Sequence, residues 1–200
     1  MATKQHCAYC FDVLVSHLEG KPTSRIPTGF DASACYPLFV TWSKQYRGDD
    51  DRLRGCIGNF SAMKLGNGLR EYALTSALRD TRFNPITLRE LPQLSCSVSL
   101  LTDFEEADDY LDWEIGKHGV WVEFRMPNGR RQTATFLPEI AEEQGWSKEK
   151  TVDQLLRKGG YEWTITREMR ESVKLTRYQS KKAKLLYSDY VGMRQKLEEV

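Results

Sequence analysis

One stretch of the chain, Asp51-Arg52-Leu53-Arg54-Gly55-Cys56-Ile57-Gly58-Asn59, is poor material for a helix. Each of its two glycines would cost about 1 kcal/mol relative to alanine inside a helix, so the stretch is predicted to form a strand. Side chains along a strand alternate between its two faces. The alternation predicts an apolar face made of Leu53, Gly55 and Ile57, and an opposite face made of Arg52, Arg54, Cys56 and Gly58.

Cys56 has two interpretations in this strand. A guanidinium next to a thiol lowers the thiol pKa and favours the thiolate, which is the reactive form, and neighbouring glycines leave the sulfur accessible. This reading makes Cys56 a candidate nucleophile activated by Arg54. The alternative is that Cys56 is a small buried apolar residue and that the glycines mark a bulge or a close backbone approach.

The segment Leu53-Arg54-Gly55-Cys56-Ile57-Gly58 resembles the signature of the AMMECR-one domain family. The resemblance covers roughly residues 5 to 180, fits the eukaryotic branch best and continues through Asp80-Thr81-Arg82-Phe83, Leu91-Pro92, Gly116-Lys117-His118-Gly119, Phe136-Leu137-Pro138 and Leu156-Arg157-Lys158-Gly159-Gly160. It implies a two-lobed α+β fold with an antiparallel sheet. The biochemical activity of the family is not settled, so the resemblance implies a fold and no mechanism.

Length and charge set the broad class of the protein. The chain has 200 residues, with 29 Lys plus Arg against 28 Asp plus Glu. This length suits one domain over residues 1–200, and the near-neutral charge gives no argument for nucleic acid or a membrane as partner. No apolar run approaches the roughly 18 residues of a membrane span, and the polar N-terminus lacks the core of a signal peptide. We predict a soluble protein of the cytoplasm or nucleus.

The cysteines and acidic residues give no metal site. Five cysteines in a chain long enough to fold without disulfides predict reduced thiols. Structural zinc ligands usually come from two segments, whereas one predicted helix holds the candidates His6, Cys7, Cys10 and His17. Asp49-Asp50-Asp51 is expected to be a solvated hairpin tip and Arg47-Gly48-Asp49 a turn. We predict no metal, and the sequence identifies no cofactor.

Periodicity predicts the other elements. Apolar residues at helical spacing predict helices over 5–19, from an Asn67 cap to Asp80, and over 148–158 after a Ser147 cap. Alternation predicts strands near 37, 52, 95, 120, 130 and 172, with Asn128-Gly129 as a hairpin turn. Lys21 to Ala34 is predicted to be a surface loop, and 188–200 a short helix that frays. The fold class is α+β, a mainly antiparallel sheet flanked by helices, with two lobes of unequal size and a cleft that holds the signature.

The signature is also the predicted ligand site. Strand, loop and helix follow in that order, which places the N–H groups of Ser61 to Gly68 at a helix start where an anion can bind. The predicted ligand-binding residues are Arg52, Arg54, Gly55, Gly58 and Asn59. His118 is a second catalytic candidate, as a general base, because it is the only histidine outside the first helix. The alternative is that His118 is a turn residue.

Two functions remain open from the sequence. The first is a cleft that binds a small anionic ligand or reactive group at Arg54 and Cys56, with catalysis by Cys56 left undecided. The second is a non-enzymatic regulatory or adaptor module with a protein partner, which the family resemblance links to transcription, replication, repair or translation. Arg167 to Lys184 holds seven basic residues against two acidic ones, but lysines that protect an edge strand explain them, so nucleic acid is not favoured.

Overall fold

The structure is a computed structural model that describes residues 1–22, 29–46 and 51–198. The chain forms two compact units. We call Met1–Leu100 with Lys181–Val200 the terminal unit, and Leu101–Ser180 the middle unit. That both belong to a single domain over residues 1–200 stays a prediction.

The fold class is α+β with an antiparallel sheet, as predicted. The helices are α1 Lys4–Leu18, α2 Leu65–Leu78, α3 Pro138–Glu143, α4 Lys148–Lys158, α5 Arg167–Glu171 and α6 Tyr187–Glu198, with a 3-10 helix at Leu88–Gln93. The strands are β1 Cys35–Gln45, β2 Asp51–Lys64, β3 Leu94–Glu106, β4 Gly119–Arg125, β5 Arg131–Phe136 and β6 Lys174–Leu186. They form one six-stranded sheet in the order β2-β1-β3-β6-β4-β5, which leaves β2 and β5 at its edges. The prediction that the basic strip over 167–184 forms an edge strand is wrong, because β6 lies between β3 and β4.

The core of the terminal unit lies between the sheet and the helices α1, α2 and α6. Alternate residues of β1 are fully buried, namely Leu38, Val40 and Trp42. The Trp42 indole donates a hydrogen bond from Nε1 to the Ala73 carbonyl of α2 at 3.0 Å, and the Phe11 ring of α1 meets its edge at 5.0 Å. Phe11 also stacks on Tyr190 of α6 at 5.0 Å. The alternation predicted for β1 therefore gives the face on which the helices pack.

The middle unit has its own core. Val122 and Phe124 of β4 are buried with Leu155 and Leu156 of α4. The predicted hairpin turn is present, since Gly129 has φ +81° and its N–H donates to the Met126 carbonyl at 2.8 Å. Glycine suits that left-handed backbone conformation because it has no Cβ. The Ser147 cap is also confirmed, because its hydroxyl accepts a hydrogen bond from the Lys150 N–H at 3.1 Å.

Several predictions concern features outside these cores. No helix within 1–22, 29–46 and 51–198 is both long and apolar enough to cross a membrane. In the same ranges no group of three or more His, Cys, Asp or Glu side chains is placed to hold a metal ion. The five cysteines are free thiols: Cys7, Cys10, Cys35, Cys56 and Cys96. The predicted turn Arg47-Gly48-Asp49, residues 49 and 50 of the acidic run and residues 23–28 of the predicted loop lie outside the described residues.

Candidate functional site

A β-bulge at Arg54 divides the signature strand. Ser43 lies opposite Leu53 and Trp42 lies opposite Gly55, so Arg54 is an extra residue in β2. A bulge shifts the alternation of side chains by one position. Leu53 therefore shares a face with Cys56, and its side chain is 42% exposed. The predicted apolar face of Leu53, Gly55 and Ile57 is wrong for this reason, and Arg52 likewise does not share the face of Cys56.

The two glycines of the signature are positions where other atoms come very close. A Cβ on Gly55 would lie 2.0 Å from the Ser76 carbonyl oxygen of α2. A Cβ on Gly58 would lie 2.3 Å from the Phe39 ring and 2.2 Å from the Leu38 carbonyl oxygen, both in β1. No real Cβ tolerates such contacts, so glycine is required at both positions. The predicted close backbone approach is confirmed.

Arg54 is engaged in a partly buried ion pair. Its Nε and Nη2 donate to the two carboxylate oxygens of Glu90 at 3.0 and 3.1 Å, and Nη1 donates to the Asn84 carbonyl at 2.6 Å. The side chains of Arg54 and Glu90 are only 13% and 16% exposed. Burial would raise the pKa of Glu90, but hydrogen bonds from Arg54, the Thr87 N–H and Lys44 outweigh it and lower that pKa to about 2. Arg54 thus ties the bulge to the 3-10 helix.

Asp80 and Arg82 cover the outer edge of β2 at Cys56. The Cys56 N–H donates to Asp80 Oδ2 at 3.0 Å, and Arg82 Nη2 donates to the Cys56 carbonyl at 3.2 Å. Arg82 also donates to both carboxylate oxygens of Asp80, and this pairing holds the pKa of Asp80 well below its usual range. An edge strand presents unpaired N–H and C=O groups that need such partners. The two segments Leu53–Gly58 and Asp80–Phe83 are therefore parts of one structural unit.

The Cys56 thiol is half-buried and accepts a hydrogen bond from Thr41 Oγ1 at 3.0 Å. Burial raises the pKa of Cys56, and the negative charge of Asp80 raises it further. Together these effects exceed the lowering by the Thr41 hydrogen bond and by the positive charges of Arg82 and Lys182. The prediction that Arg54 lowers this pKa is wrong. Arg54 is bound to Glu90, and loss of hydration disfavours the thiolate.

The thiol belongs to a polar face of the sheet in the terminal unit. Thr41 lies opposite both Cys56 and Ser97, and Ser43 lies opposite Ser95. Directly opposite residues of an antiparallel pair point to the same side of the sheet. We define the polar face as Phe39, Thr41, Ser43, Cys56, Gly58, Ser95, Ser97 and Ser99.

Two lysines of β6 extend the polar face. Ala183 and Leu185 belong to the apolar core, so the alternating Lys182 and Lys184 point to the opposite side. Lys184 forms an ion pair with Asp51, and the Ser95 hydroxyl donates to the same carboxylate at 3.4 Å. Hydroxyl groups, a thiol and cations therefore meet on one side of the sheet.

The predicted anion site at the start of α2 is wrong. β2 continues to Lys64 and α2 begins directly at Leu65, so Asn67 lies inside the helix and is not its cap. The N–H of Leu65 donates to the Ala34 carbonyl at 2.9 Å, and the N–H of Gly66 donates to the Ala32 carbonyl at 3.0 Å. These backbone carbonyls occupy the positions that an anion would need.

The other predicted residues each have partners of their own. The Arg52 guanidinium lies over the Tyr46 ring at 4.8 Å. Asn59 donates to the Tyr72 hydroxyl at 3.2 Å and accepts from the Ser61 N–H at 2.8 Å. The structure assigns Cys56 to the terminal unit and His118 to the middle unit.

His118 has the contacts of a turn residue. It is 6% exposed, and its Nδ1 accepts a hydrogen bond from the Glu114 N–H at 2.9 Å. Burial lowers the pKa of this imidazole, and the nearby positive charges of Lys117 and Arg177 lower it further.

Sequence reasoning missed three residues that act on Cys56, namely Thr41, Arg82 and Lys182. For each of the three residues, the sequence pattern indicates a different role. Thr41 alternates in a predicted strand, Arg82 lies in a segment of the family resemblance, and Lys182 lies in the basic strip. Strand pairing places Thr41 opposite Cys56, and a hydrogen bond to the Cys56 carbonyl places Arg82 there, so these contacts join residues that are distant in sequence.

Comparisons with known proteins show the family of this chain and a solved structure of the same fold. The AMMECR1 family model matches residues 7–183. An uncharacterised protein of Arabidopsis thaliana is 50% identical over 192 residues, which cover 96% of this chain and 88% of that protein. An uncharacterised protein of Schizosaccharomyces pombe is 40% identical over 191 residues, which cover 96% of each. A crystal structure of an uncharacterised protein from Pyrococcus horikoshii, 22% identical, superposes with a TM-score of 0.72 over 90% of this chain and 89% of that one, which shows a shared fold.

Proposed function

We propose that this chain, which belongs to the AMMECR1 family, binds a small anionic compound on the polar face of its terminal unit, next to the Cys56 thiol. The observation that carries the proposal is the combination of groups around one sulfur. Thr41 donates a hydrogen bond to it, and the positive charges of Arg82 and Lys182 act on it together with the negative charge of Asp80, which is paired with Arg82. Anions are bound by such convergence of hydrogen-bond donors and cations.

Cys56 in this proposal contacts the ligand as a neutral thiol. Its pKa is raised by burial, and nucleophilic attack needs the thiolate. A bound anion would favour the thiol further, because a like charge disfavours a second negative charge. Arg54, Gly55 and Gly58 contribute by fixing the shape of β2. Glu90 binds the Arg54 guanidinium, and atoms of Ser76 and Phe39 occupy the space that a side chain on Gly55 or Gly58 would need.

The test compares two lysine variants that lose the same charge. A panel of small carboxylates and phosphate esters is screened by saturation-transfer NMR against the wild type, Lys182→Gln and Lys196→Gln. Lys196 is an exposed residue of α6 and serves as the control. We expect a compound that binds the wild type and the control with equal affinity and binds Lys182→Gln at least fivefold more weakly.

Two outcomes would contradict the proposal. If both variants weaken binding equally, the effect is the general charge of the protein and no site is present. If no compound in the panel binds, the non-enzymatic regulatory or adaptor module becomes the leading function.

A further inference from the structure

A charged pocket lies on the middle unit, apart from the residues used above. Its volume is about 370 Å³ and its lining is Glu123, Phe124, Arg125, Arg131, Ser172 and Lys174. Val122 and Phe124 point into the core of this unit, so the alternating Glu123 and Arg125 point to the opposite side of β4. A volume of this size is typical of binding sites for small ligands.

Two arginines face each other across the β4–β5 hairpin at this pocket. Arg125 of β4 lies directly opposite Arg131 of β5. Like charges at directly opposite positions of an antiparallel pair repel each other and destabilise the pair. Two guanidinium groups at directly opposite positions are stabilised most when one anion binds between them.

The charges around this pair are not balanced within the protein. Three of the lining residues are cations and one is a carboxylate. Glu123 forms an ion pair with Arg131, and Lys174 pairs with Glu106 at 3.3 Å. Within the described parts of the chain, the Arg125 side chain makes no hydrogen bond, ion pair or ring contact. The pocket therefore keeps a guanidinium whose donors are available to a ligand.

We infer that this pocket binds a small soluble organic phosphate, with the phosphate between Arg125 and Arg131 and the organic part along Lys174 and Ser172. Arginine donates paired hydrogen bonds that match the geometry of phosphate oxygens. The volume exceeds that of a bare phosphate ion, so a phosphate ester fills it better. This site is independent of the polar face and of Cys56.

The test measures binding of inorganic phosphate and of ribose 5-phosphate by ³¹P NMR titration of the full chain. Arg125→Thr removes the available guanidinium and keeps a residue that suits a strand. Arg130→Thr removes the same charge from an exposed position of the same hairpin that does not line the pocket. We expect ribose 5-phosphate to bind at least tenfold more tightly than inorganic phosphate. We also expect Arg125→Thr to weaken both at least tenfold, and Arg130→Thr to change them less than twofold.

Thermal unfolding adds a readout that does not depend on a chosen ester. In phosphate-free buffer Arg125→Thr is expected to have a Tm equal to or above that of the wild type, because the like-charge pair is removed. Added phosphate should raise the Tm of the wild type and of Arg130→Thr but not of Arg125→Thr.

The inference is overturned if the two arginine variants weaken binding equally, or if the ester binds no more tightly than inorganic phosphate. Tighter binding of a single-stranded oligoribonucleotide, with a steep dependence on salt, would replace the small phosphate by a nucleic acid. Tighter binding to vesicles that contain phosphatidic acid would replace it by a lipid headgroup. Loss of binding in Lys182→Gln with no loss in Arg125→Thr would move the phosphate to the polar face.

Discussion

Arg54 in β2 and Arg125 in β4 are both arginines of a strand, and their surroundings differ completely. Arg54 lies in the segment that identifies the family, yet its donors are used by Glu90 and by the carbonyls of Asn84 and Pro85. Arg125 lies in a segment without any conspicuous motif, and it faces Arg131 across the hairpin. The signature motif therefore marks residues that the fold requires, whereas the arginine whose charge is not balanced within the protein is Arg125, outside the motif.

Replacement of each arginine by methionine tests this comparison with the largest expected effect. Arg54→Met leaves the mostly buried carboxylate of Glu90 with Lys44 as its remaining cation, so we expect a loss of about 3 kcal/mol in the free energy of unfolding. Arg125→Met should change it by less than about 0.5 kcal/mol, because the residue is exposed. Urea denaturation of both variants measures the difference, and equal losses would contradict the structural role of Arg54.

The glycines of the same strand provide the next largest effect. Gly55→Ala places a Cβ against the Ser76 carbonyl, and the backbone shift that follows is expected to cost about 2 kcal/mol. The control is Gly192→Ala in α6, where no atom lies within 4 Å of the added Cβ. Alanine is a better helix former than glycine, so this variant should gain about 0.5 kcal/mol. A gain in both variants would mean that α2 and β2 are not in close contact.

The bulge explains why part of the site escaped prediction. Alternation identified β1, and turn chemistry identified the hairpin at Asn128-Gly129, because both depend on neighbouring residues. The bulge accompanies a bond between Arg54 and Glu90, which are 36 residues apart in sequence. No local pattern contains that information, so the alternation was extended through Arg54 and assigned Leu53 to the wrong face.

The same limit applies to the start of α2. Asn67 is a common capping residue, and its position before an apolar stripe suggested a helix start. The helix begins three residues earlier, with Lys64 at the cap position, because the carbonyls of Ala32 and Ala34 accept its first N–H groups. A tertiary contact thus replaced the local cap and removed the predicted anion site.

The ion pair of Arg54 also predicts a dependence of stability on pH. The pKa of Glu90 is about 2 in the folded protein against an ordinary value of 4.5. A lowered carboxyl pKa contributes stability that is present above the unfolded pKa and is lost as the pH falls through the folded one. Between pH 6 and pH 3 the wild type should therefore lose on the order of 1 kcal/mol more than Glu90→Gln. Urea denaturation at both pH values measures this, with exposed Glu171→Gln as the control. If Glu90→Gln loses as much stability as the wild type, its carboxylate is not the group responsible.

The smallest effect is expected at the Cys56 thiol itself, where Lys182 should act and Lys196 should not. The positive charge of Lys182 lowers the Cys56 pKa, although burial has the larger opposite effect. Lys182→Gln should therefore raise that pKa and slow alkylation of Cys56 by iodoacetamide near pH 7 about twofold, since only the thiolate reacts. Mass spectrometry of the labelled peptides measures the rate, and exposed Cys35 in the same molecules provides the internal reference. Cys56 should react more slowly than Cys35 in every variant. Faster reaction of Cys56 in the wild type would mean that its pKa is lowered after all, and the interpretation of Cys56 as a nucleophile would regain the lead over ligand contact.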